Sequence, residues 1–206
     1  MFLSIVSSCS FSNKDKELTK KQNNDFNREI ISNYSKAIKI DPDNPLFYLE
    51  RGRAKFDYSD YGGAIQDFNY ALTLNPNPKV IFHRANSKFN YGDFKGAIKD
   101  YEKLRFFEEY KDQIFYNKAS AQLINFEYEN AIVNYTKSIK YDSEDEYAYL
   151  YRGDAKFKLN QYKNSIEDYS KVLEINKRSY IAFNNRGVSN FKLKNYRSAL
   201  EDFRKT

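Results

Sequence analysis

Apolar residues recur three and four positions apart along most of this chain, with polar residues between them. In residues 81–104, one apolar stripe contains Ile81, Ala85 and Phe89. A second stripe follows after a short break and contains Phe94, Ala97, Ile98, Tyr101 and Leu104. This spacing places apolar side chains on one face of an α-helix. The segment therefore predicts two amphipathic helices joined by a tight turn at Tyr91-Gly92-Asp93.

The same two-helix pattern returns at a fixed interval. The most regular part is a quintet that appears as Ala64-Ile65-Gln66-Asp67-Phe68, Ala97-Ile98-Lys99-Asp100-Tyr101, Ala131-Ile132-Val133-Asn134-Tyr135, Ser165-Ile166-Glu167-Asp168-Tyr169 and Ala199-Leu200-Glu201-Asp202-Phe203. Successive quintets start 33 or 34 residues apart. A constant period of this size indicates a helical solenoid, in which each helix pair packs on its neighbours.

The repeated unit resembles the tetratricopeptide repeat, especially its bacterial form. In the first full unit the matching residues are Arg51-Gly52, Tyr61, Ala64, Ile65, Asp67, Phe68, Ala71 and Pro76. The resemblance covers residues 25–206 and implies an all-α, right-handed α-solenoid of stacked antiparallel helix pairs. We divide it into a half unit (25–44), full units (45–77, 78–111, 112–145, 146–179) and a truncated unit (180–206). Residues 1–24 form a flexible N-terminal segment in this division.

Charged residues also recur with the period. A basic residue in each first helix is matched by an acid or amide in the second helix, as in Arg51 with Asp67, Arg84 with Asp100, Lys118 with Asn134, Arg152 with Asp168, and Arg186 with Asp202. One interpretation is a ladder of cations lining a groove for an anionic ligand. The other, which we favour, is a partly buried Arg–Asp latch between the two helices, because a guanidinium group can bind both carboxylate oxygens. We predict that Arg152 contacts a carboxylate such as Asp168 or the equivalent carboxylate of a neighbouring unit.

The resemblance implies a binding surface as well, because tetratricopeptide proteins hold extended peptides or a partner's helix on the concave face of their first helices. Positions assigned to that face are Arg53, Phe82, Asn86, Asn90, Tyr116, Asn117, Ser120, Asp154, Lys158, Asn184 and Lys192. This mixture of amide and aromatic groups suits a peptide held through its backbone and by aromatic contact. For Phe82 the alternative is a place in the core between helices.

Composition restricts the chemistry. The chain of 206 residues has one histidine, His83, one cysteine, Cys9, and a net charge of +6. These counts exclude a disulfide within the chain and a zinc site with several cysteines, and they leave almost nothing for histidine-based catalysis. We expect no enzymatic activity, no cofactor and no bound metal. The positive charge favours anionic partners only weakly, since no long basic run occurs, and nucleic acid is not the favoured partner.

The amino terminus leaves the localisation open. Residues Met1 to Val6 are apolar, and Val6-Ser7-Ser8-Cys9 resembles a bacterial lipobox, in which Cys9 would be lipidated. The apolar stretch is short and has no preceding Lys or Arg, so either the true start lies upstream or the match is chance. The protein is accordingly either cytoplasmic or an envelope lipoprotein. No segment approaches the roughly 20 apolar residues of a transmembrane helix.

These observations together predict a non-catalytic scaffold that binds a peptide or protein in the concave groove. Two alternatives stay open: an envelope-anchored scaffold lipidated at Cys9, and a binder of an anionic polymer such as RNA. Because the last unit stops within its second helix, we also predict exposed apolar surface there, with end-to-end self-association as one use of it.

Overall fold

The computed structural model describes residues 13–206, and this part of the chain is helical and contains no strand. The helices are α1 (Asn13–Ile40), α2 (Pro45–Asp57), α3 (Tyr61–Leu74), α4 (Pro78–Tyr91), α5 (Phe94–Lys103), α6 (Lys111–Ile124), α7 (Tyr128–Tyr141), α8 (Glu146–Lys158), α9 (Tyr162–Ile175), α10 (Tyr180–Lys192) and α11 (Tyr196–Phe203). The predicted all-α class of paired helices is confirmed. We number the pairs 1 to 5, from α2–α3 to α10–α11.

The chain forms two compact units, one up to Val80 and one from Ile81 onward. In the N-terminal unit α1 packs on α2, and α2 packs on α3. In the C-terminal unit α6, α8 and α10 each pack on the second helix of their own pair, and α7 and α9 pack on the first helix of the following pair. Helix α6 also contacts α8, and α8 contacts α10. The first helices of pairs 3, 4 and 5 therefore lie side by side, and we call their shared surface the first-helix face.

Close packing within a pair depends on a small residue in the first helix. A Cβ added to Gly153 would lie 2.7 Å from Cε1 of Tyr169, and the same distance would separate a Cβ on Gly187 from Cε1 of Phe203. Each glycine thus lies directly against an aromatic ring of the second helix. A glycine inside a helix costs about 1 kcal/mol relative to alanine. The close approach of the ring is the reason that glycine occupies this position.

Helix α1 differs from the division made on the sequence. It is 28 residues long, and residues 13–40 contain neither glycine nor proline to interrupt it. The helix begins inside the segment assigned to residues 1–24, so the division at residue 24 does not coincide with a helix end. Its C-terminal part packs on the next pair, where Tyr34 lies 6.1 Å from Phe47 between ring centroids, and Ile38 joins the core around Phe68.

Candidate functional site

The recurrent charged pairs form bidentate contacts in four of the five helix pairs. Arg152 donates from Nε and Nη2 to the two carboxylate oxygens of Asp168, at 3.0 and 2.6 Å. The same geometry, with distances of 2.7–3.0 Å, joins Arg51 to Asp67, Arg84 to Asp100, and Arg186 to Asp202. All four aspartates are at most 4% exposed. Each arginine is therefore engaged between helices, as in the latch interpretation, and does not form a row of free cations.

The latch contains two partners that the sequence analysis did not identify. In pairs 1, 2 and 4 a lysine one turn after the arginine binds the same carboxylate, as Lys156 does with Asp168 at 2.8 Å, and in pair 5 Asn190 has this place. The third guanidinium nitrogen points to the preceding pair, where Arg152 Nη1 donates to Thr136 Oγ1 at 3.1 Å. The sequence contains evidence for both partners. Lysines follow the arginines of pairs 1 and 2 at the same spacing. Arg186 likewise reaches a hydroxyl that lies 16 residues earlier.

Pair 3 is built differently. Lys118 pairs with Glu102 of the preceding helix pair at 3.4 Å, and the amide of Asn134 donates to Gln122 Oε1 at 2.7 Å. A neutral amide pair thus replaces the buried ion cluster of the other pairs. The charge of Lys118 is balanced by Glu102 of the preceding pair.

Burial and ion pairing have opposite effects on the pKa of the buried aspartates. Burial by itself would raise the pKa of Asp100, but hydrogen bonds from Arg84 and other cations outweigh it and lower that pKa.

A second recurring network binds a tyrosine hydroxyl of each second helix to a polar side chain on the first helix of the same pair. Tyr101 donates its hydroxyl to Asn86 Oδ1 at 2.5 Å, and Asn117 Nδ2 donates to the same oxygen at 3.1 Å. In pair 3 the hydroxyls of Ser120 and Tyr135 lie 3.0 Å apart. The buried tyrosines of the second helices therefore present their hydroxyls to groups on the first helices. From the apolar pattern alone, these tyrosines are predicted only as core residues.

Asp154 occupies the equivalent position in pair 4. Its Oδ1 accepts hydrogen bonds from the Tyr169 hydroxyl at 2.7 Å and from Asn185 Nδ2 at 3.0 Å. Within residues 13–206, no protein hydrogen bond reaches its Oδ2. Burial raises the pKa of this carboxyl, and the hydrogen bonds from Tyr169 and Asn185 offset that effect only in part. The carboxylate is thus held in a fixed orientation, with one oxygen left for another group.

Asp154 lies in a cavity of about 580 Å³ on the first-helix face. We call it the Phe126 cavity. Its apolar lining consists of Leu123, Ile124, Phe126, Tyr128, Phe157 and Val188, and its polar lining of Asp154, Lys158, Tyr169 and Asn185. These side chains come from helix pairs 3, 4 and 5. A volume of this size, with an apolar wall and few polar groups, is typical of binding pockets.

Phe126 has an unfavourable backbone conformation. Its φ angle is 64°, and the ring is 76% exposed at the mouth of the cavity. The equivalent turns of the other pairs place Ser59, Gly92, Asn160 and Lys194 in the same left-handed region. A bulky residue is rare there, and strain of this kind is concentrated at functional sites. Neither the strain nor the exposure of this ring could be read from the apolar pattern.

A smaller cavity of about 330 Å³ adjoins the same two first helices, α6 and α8. Its lining includes the side chains of Asp112, Asp142 and Asp145, which we call the acidic edge, and the rings of Tyr116 and Tyr147. Asp145 also caps α8 by accepting hydrogen bonds from two backbone amides, and Asp142 accepts one from Glu144. No basic side chain lines this cavity among the residues that the structure describes.

Two family profiles match the chain. Residues 112–145 match the profile described as Tetratricopeptide repeat, and residues 153–194 match the one described as TPR repeat. This chain contains tetratricopeptide repeats. The two matched segments contain the helices of pair 3 and most of pairs 4 and 5, which are the pairs that line the Phe126 cavity.

Solved tetratricopeptide structures share the fold at low sequence identity. A structure of the MamA protein is 21% identical, has a TM-score of 0.74, and aligns over 78% of this chain and 88% of that one. YrrB, described as a TPR protein with an unusual peptide-binding site, is 18% identical with a TM-score of 0.73, over 84% and 89%. The C-terminal part of a TPR repeat-containing protein from Cytophaga hutchinsonii is 18% identical with a TM-score of 0.77, over 92% and 75%. No curated protein matches the sequence.

The residues assigned to the concave face of this tetratricopeptide-repeat protein have different environments. Asn86, Asn117, Ser120 and Asp154 belong to the hydroxyl networks, Tyr116 lines the smaller cavity and Lys158 lines the Phe126 cavity. Asn90, Asn184 and Lys192 are exposed, while Arg53 is exposed and bound to Glu50 at 3.1 Å. The structure brings Asp154 and Lys158 into one cavity and leaves Arg53 in the other compact unit.

The assignment of Phe82 to the partner-binding surface was wrong. Its side chain is 5% exposed and stacks on Tyr110 with 4.9 Å between ring centroids. It packs in a core cluster with Ala85, Tyr101 and Ile114, so it cannot contact a partner. An apolar residue next to the helix stripe lies in the core or on the face depending on how the next pair packs, which the sequence did not reveal.

The remaining predictions concern anchoring and metal binding. Cys9, the candidate lipidation site, lies outside the described residues. No helix in the described range is long and apolar enough to cross a bilayer. The same range has no group of three or more potential His, Cys, Asp or Glu metal ligands. Phe191, Tyr196, Leu200 and Phe203 are exposed on the last helix pair, and self-association through that pair stays a prediction.

Proposed function

We propose that this tetratricopeptide-repeat protein acts as a non-catalytic scaffold that binds a peptide or protein segment on the first-helix face, with the Phe126 cavity as its main contact. The observation that carries the proposal is the cavity itself, which combines an apolar wall from three helix pairs with the oriented carboxylate of Asp154. Tetratricopeptide repeats generally serve as interaction scaffolds, and YrrB is described as having a peptide-binding site.

The local charge of the face supports a peptide rather than an anionic polymer. The two cavities are lined by the carboxylates of Asp112, Asp142, Asp145 and Asp154, against the single ammonium group of Lys158. RNA binding requires positive charge along the contact surface, since phosphate neutralisation provides most of the affinity. The RNA alternative therefore has no support on this face, although the whole chain is positively charged.

The proposal can be tested without assuming any partner sequence. Peptides selected from an unbiased display library against the full chain should lose binding to the variant Ile124→Arg, because Ile124 is 45% exposed in the wall of the cavity. A matched control is Val133→Arg, since Val133 is 53% exposed on α7 and lines neither cavity. Selected peptides that bind wild type and both variants equally would show that the first-helix face is not the binding surface.

A further inference from the structure

We propose that the segment bound on the first-helix face is cationic, with a bulky apolar side chain in the Phe126 cavity and basic groups against Asp154 and the acidic edge. This inference rests on the proposed function and adds the chemical class of the partner. It is opposite in sign to the expectation from the net charge of +6, which favours anionic partners.

Charge complementarity is the first argument. A ligand in the two cavities meets four carboxylates and one ammonium group. Most of the positive charge of the chain lies elsewhere, and part of it is already paired with buried aspartates in the latches. Because charges separated by more than about 8–10 Å of solvent are largely screened at physiological salt, the local sign decides which segment binds.

Asp154 provides the second argument. Two donors hold its Oδ1, and its Oδ2 has no hydrogen-bond partner in the described part of the chain. A segment that fills the cavity removes water from this carboxylate. A desolvated charge is costly unless an opposite charge or a hydrogen-bond donor replaces the water. A lysine or arginine side chain next to the apolar anchor supplies that replacement, whereas an acidic side chain would add repulsion.

The spacing between the two cavities predicts the spacing of groups on the partner. On α6, Tyr116 lines the smaller cavity and Ile124 lines the Phe126 cavity, eight residues further along the same helix. Eight residues correspond to about 12 Å along a helix. An extended peptide rises about 3.3 Å per residue. A basic residue about four positions from the apolar anchor therefore reaches the acidic edge.

The conformation of Phe126 is the third argument, and it concerns the anchor. A bulky side chain at φ 64° is retained at a turn where the other pairs use Ser, Gly, Asn or Lys. The ring is exposed, so it contributes little to the core in compensation. An aromatic wall for the apolar group of a partner accounts for its presence. Phe157 faces the same cavity from pair 4.

The test uses synthetic peptides and the full chain. Each nine-residue peptide has blocked ends, a central tryptophan, and either Lys, Gln or Glu four positions to each side of it. The protein contains no tryptophan, so excitation at the long-wavelength edge, where its 19 tyrosines absorb little, selects the fluorescence of the peptide. We expect the Lys peptide to bind about tenfold more tightly than the Gln peptide and the Glu peptide to bind most weakly, with the preference reduced at high salt.

Two variants locate the charge contacts. Asp154→Asn and Asp112→Asn should each weaken the Lys peptide by about fivefold, as expected for single, partly screened ion pairs, and neither should weaken the Gln peptide. Asp112 is suited to this test because no capping hydrogen bond from a side chain is present at the start of α6. The control Glu167→Gln removes one exposed carboxylate from α9, outside both cavities, and should change neither affinity.

The inference is overturned if the Gln or Glu peptide binds as tightly as the Lys peptide, if no peptide binds, or if both aspartate variants bind the Lys peptide like wild type. Its failure is distinguishable from failure of the proposed function. Library peptides that are acidic, and that lose binding to Ile124→Arg, would refute only the cationic partner. Library peptides that are insensitive to Ile124→Arg would refute the site itself.

Discussion

Removing the central carboxylate of one latch should destabilise helix pair 4 strongly. Asp168 is 3% exposed and accepts hydrogen bonds from Arg152 Nε and Nη2 and from Lys156 Nζ, at 2.6–3.0 Å. The substitution Asp168→Asn keeps one oxygen acceptor but removes the negative charge. Two cations, each with about a seventh of its side-chain surface exposed, then lie side by side without a counter-charge.

The expected loss of unfolding free energy follows from the cations that the substitution leaves unpaired. Removing one partner of a buried ion pair costs about 3–5 kcal/mol, mostly because the remaining charge stays desolvated. The retained amide oxygen and the partial solvent access of Arg152 and Lys156 place the expected loss near the lower end, at about 3 kcal/mol. Arg152 would also lose the partner that orients it toward Thr136 of the preceding pair.

Pair 3 provides the design of a compensating variant. Asn134 and Gln122 form a neutral amide pair at 2.7 Å at the positions that Asp168 and Lys156 occupy in pair 4. The double variant Asp168→Asn/Lys156→Gln should therefore recover at least about 1 kcal/mol relative to Asp168→Asn, because it removes one uncompensated cation and adds an acceptor.

The assay is urea unfolding followed by circular dichroism, with hydrogen exchange of α8 and α9 to locate the change. Stability in repeat proteins is distributed over repeats and their interfaces, so the local readout is needed beside the global one. Glu167→Gln is the matched control, since it neutralises the exposed carboxylate next to Asp168 in sequence. A loss below about 1 kcal/mol for Asp168→Asn, or a double variant as unstable as the single one, would refute the reasoning.

Three further predictions concern residues near the candidate site. Gly153→Ala should lower the melting temperature. The added methyl group meets the Tyr169 ring, and the resulting loss of about 1–3 kcal/mol exceeds the gain of about 1 kcal/mol in helix propensity. A higher melting temperature would contradict the packing argument. Phe126→Asn should leave stability unchanged or raise it by up to about 1 kcal/mol, since asparagine tolerates a positive φ, while it weakens the Lys peptide; equal binding by this variant would remove the ring from the site. The raised pKa of Asp154 means that the folded state binds a proton more readily than the unfolded chain, so this group should lower stability as the pH rises from the ordinary value of 3.8 through the raised value. Asp154→Asn should abolish that decrease in urea unfolding across the acidic range and should be at least as stable as wild type at neutral pH; a less stable variant at neutral pH would contradict the assigned direction.

Much of the fold could be predicted because repeat packing is local in sequence. Each helix pair repeats the same apolar stripe, and the arginine and aspartate of a latch lie a constant 16 positions apart, as Arg152 and Asp168 do. The pairing of these two side chains followed from their residue types and this spacing. The lysine that joins the latch lies 12 positions before the aspartate, as Lys55, Lys88 and Lys156 do, and this constant spacing could have identified it.

The candidate site could be predicted only in part. Asp154 and Lys158 were assigned to the site from the position of each residue within its repeat. Phe126 was not assigned to it, because the repeat pattern places this residue in an ordinary turn between two helices. Phe82 was misassigned for a related reason. Whether a side chain at the edge of a helix stripe is covered depends on the neighbouring pair, here on the ring of Tyr110.

The sequence by itself determined the helix pairs, their period and the partners within each pair, because helical periodicity and the interval between quintets require only short-range information. The tertiary structure alone decided which groups from different pairs meet. It brought Phe126, Asp154 and Asn185 of three successive pairs to one cavity, and it placed four carboxylates around a face of a positively charged chain. Those outcomes depend on the offset and rotation between neighbouring pairs, which are set by the packing of all their side chains and by no single segment.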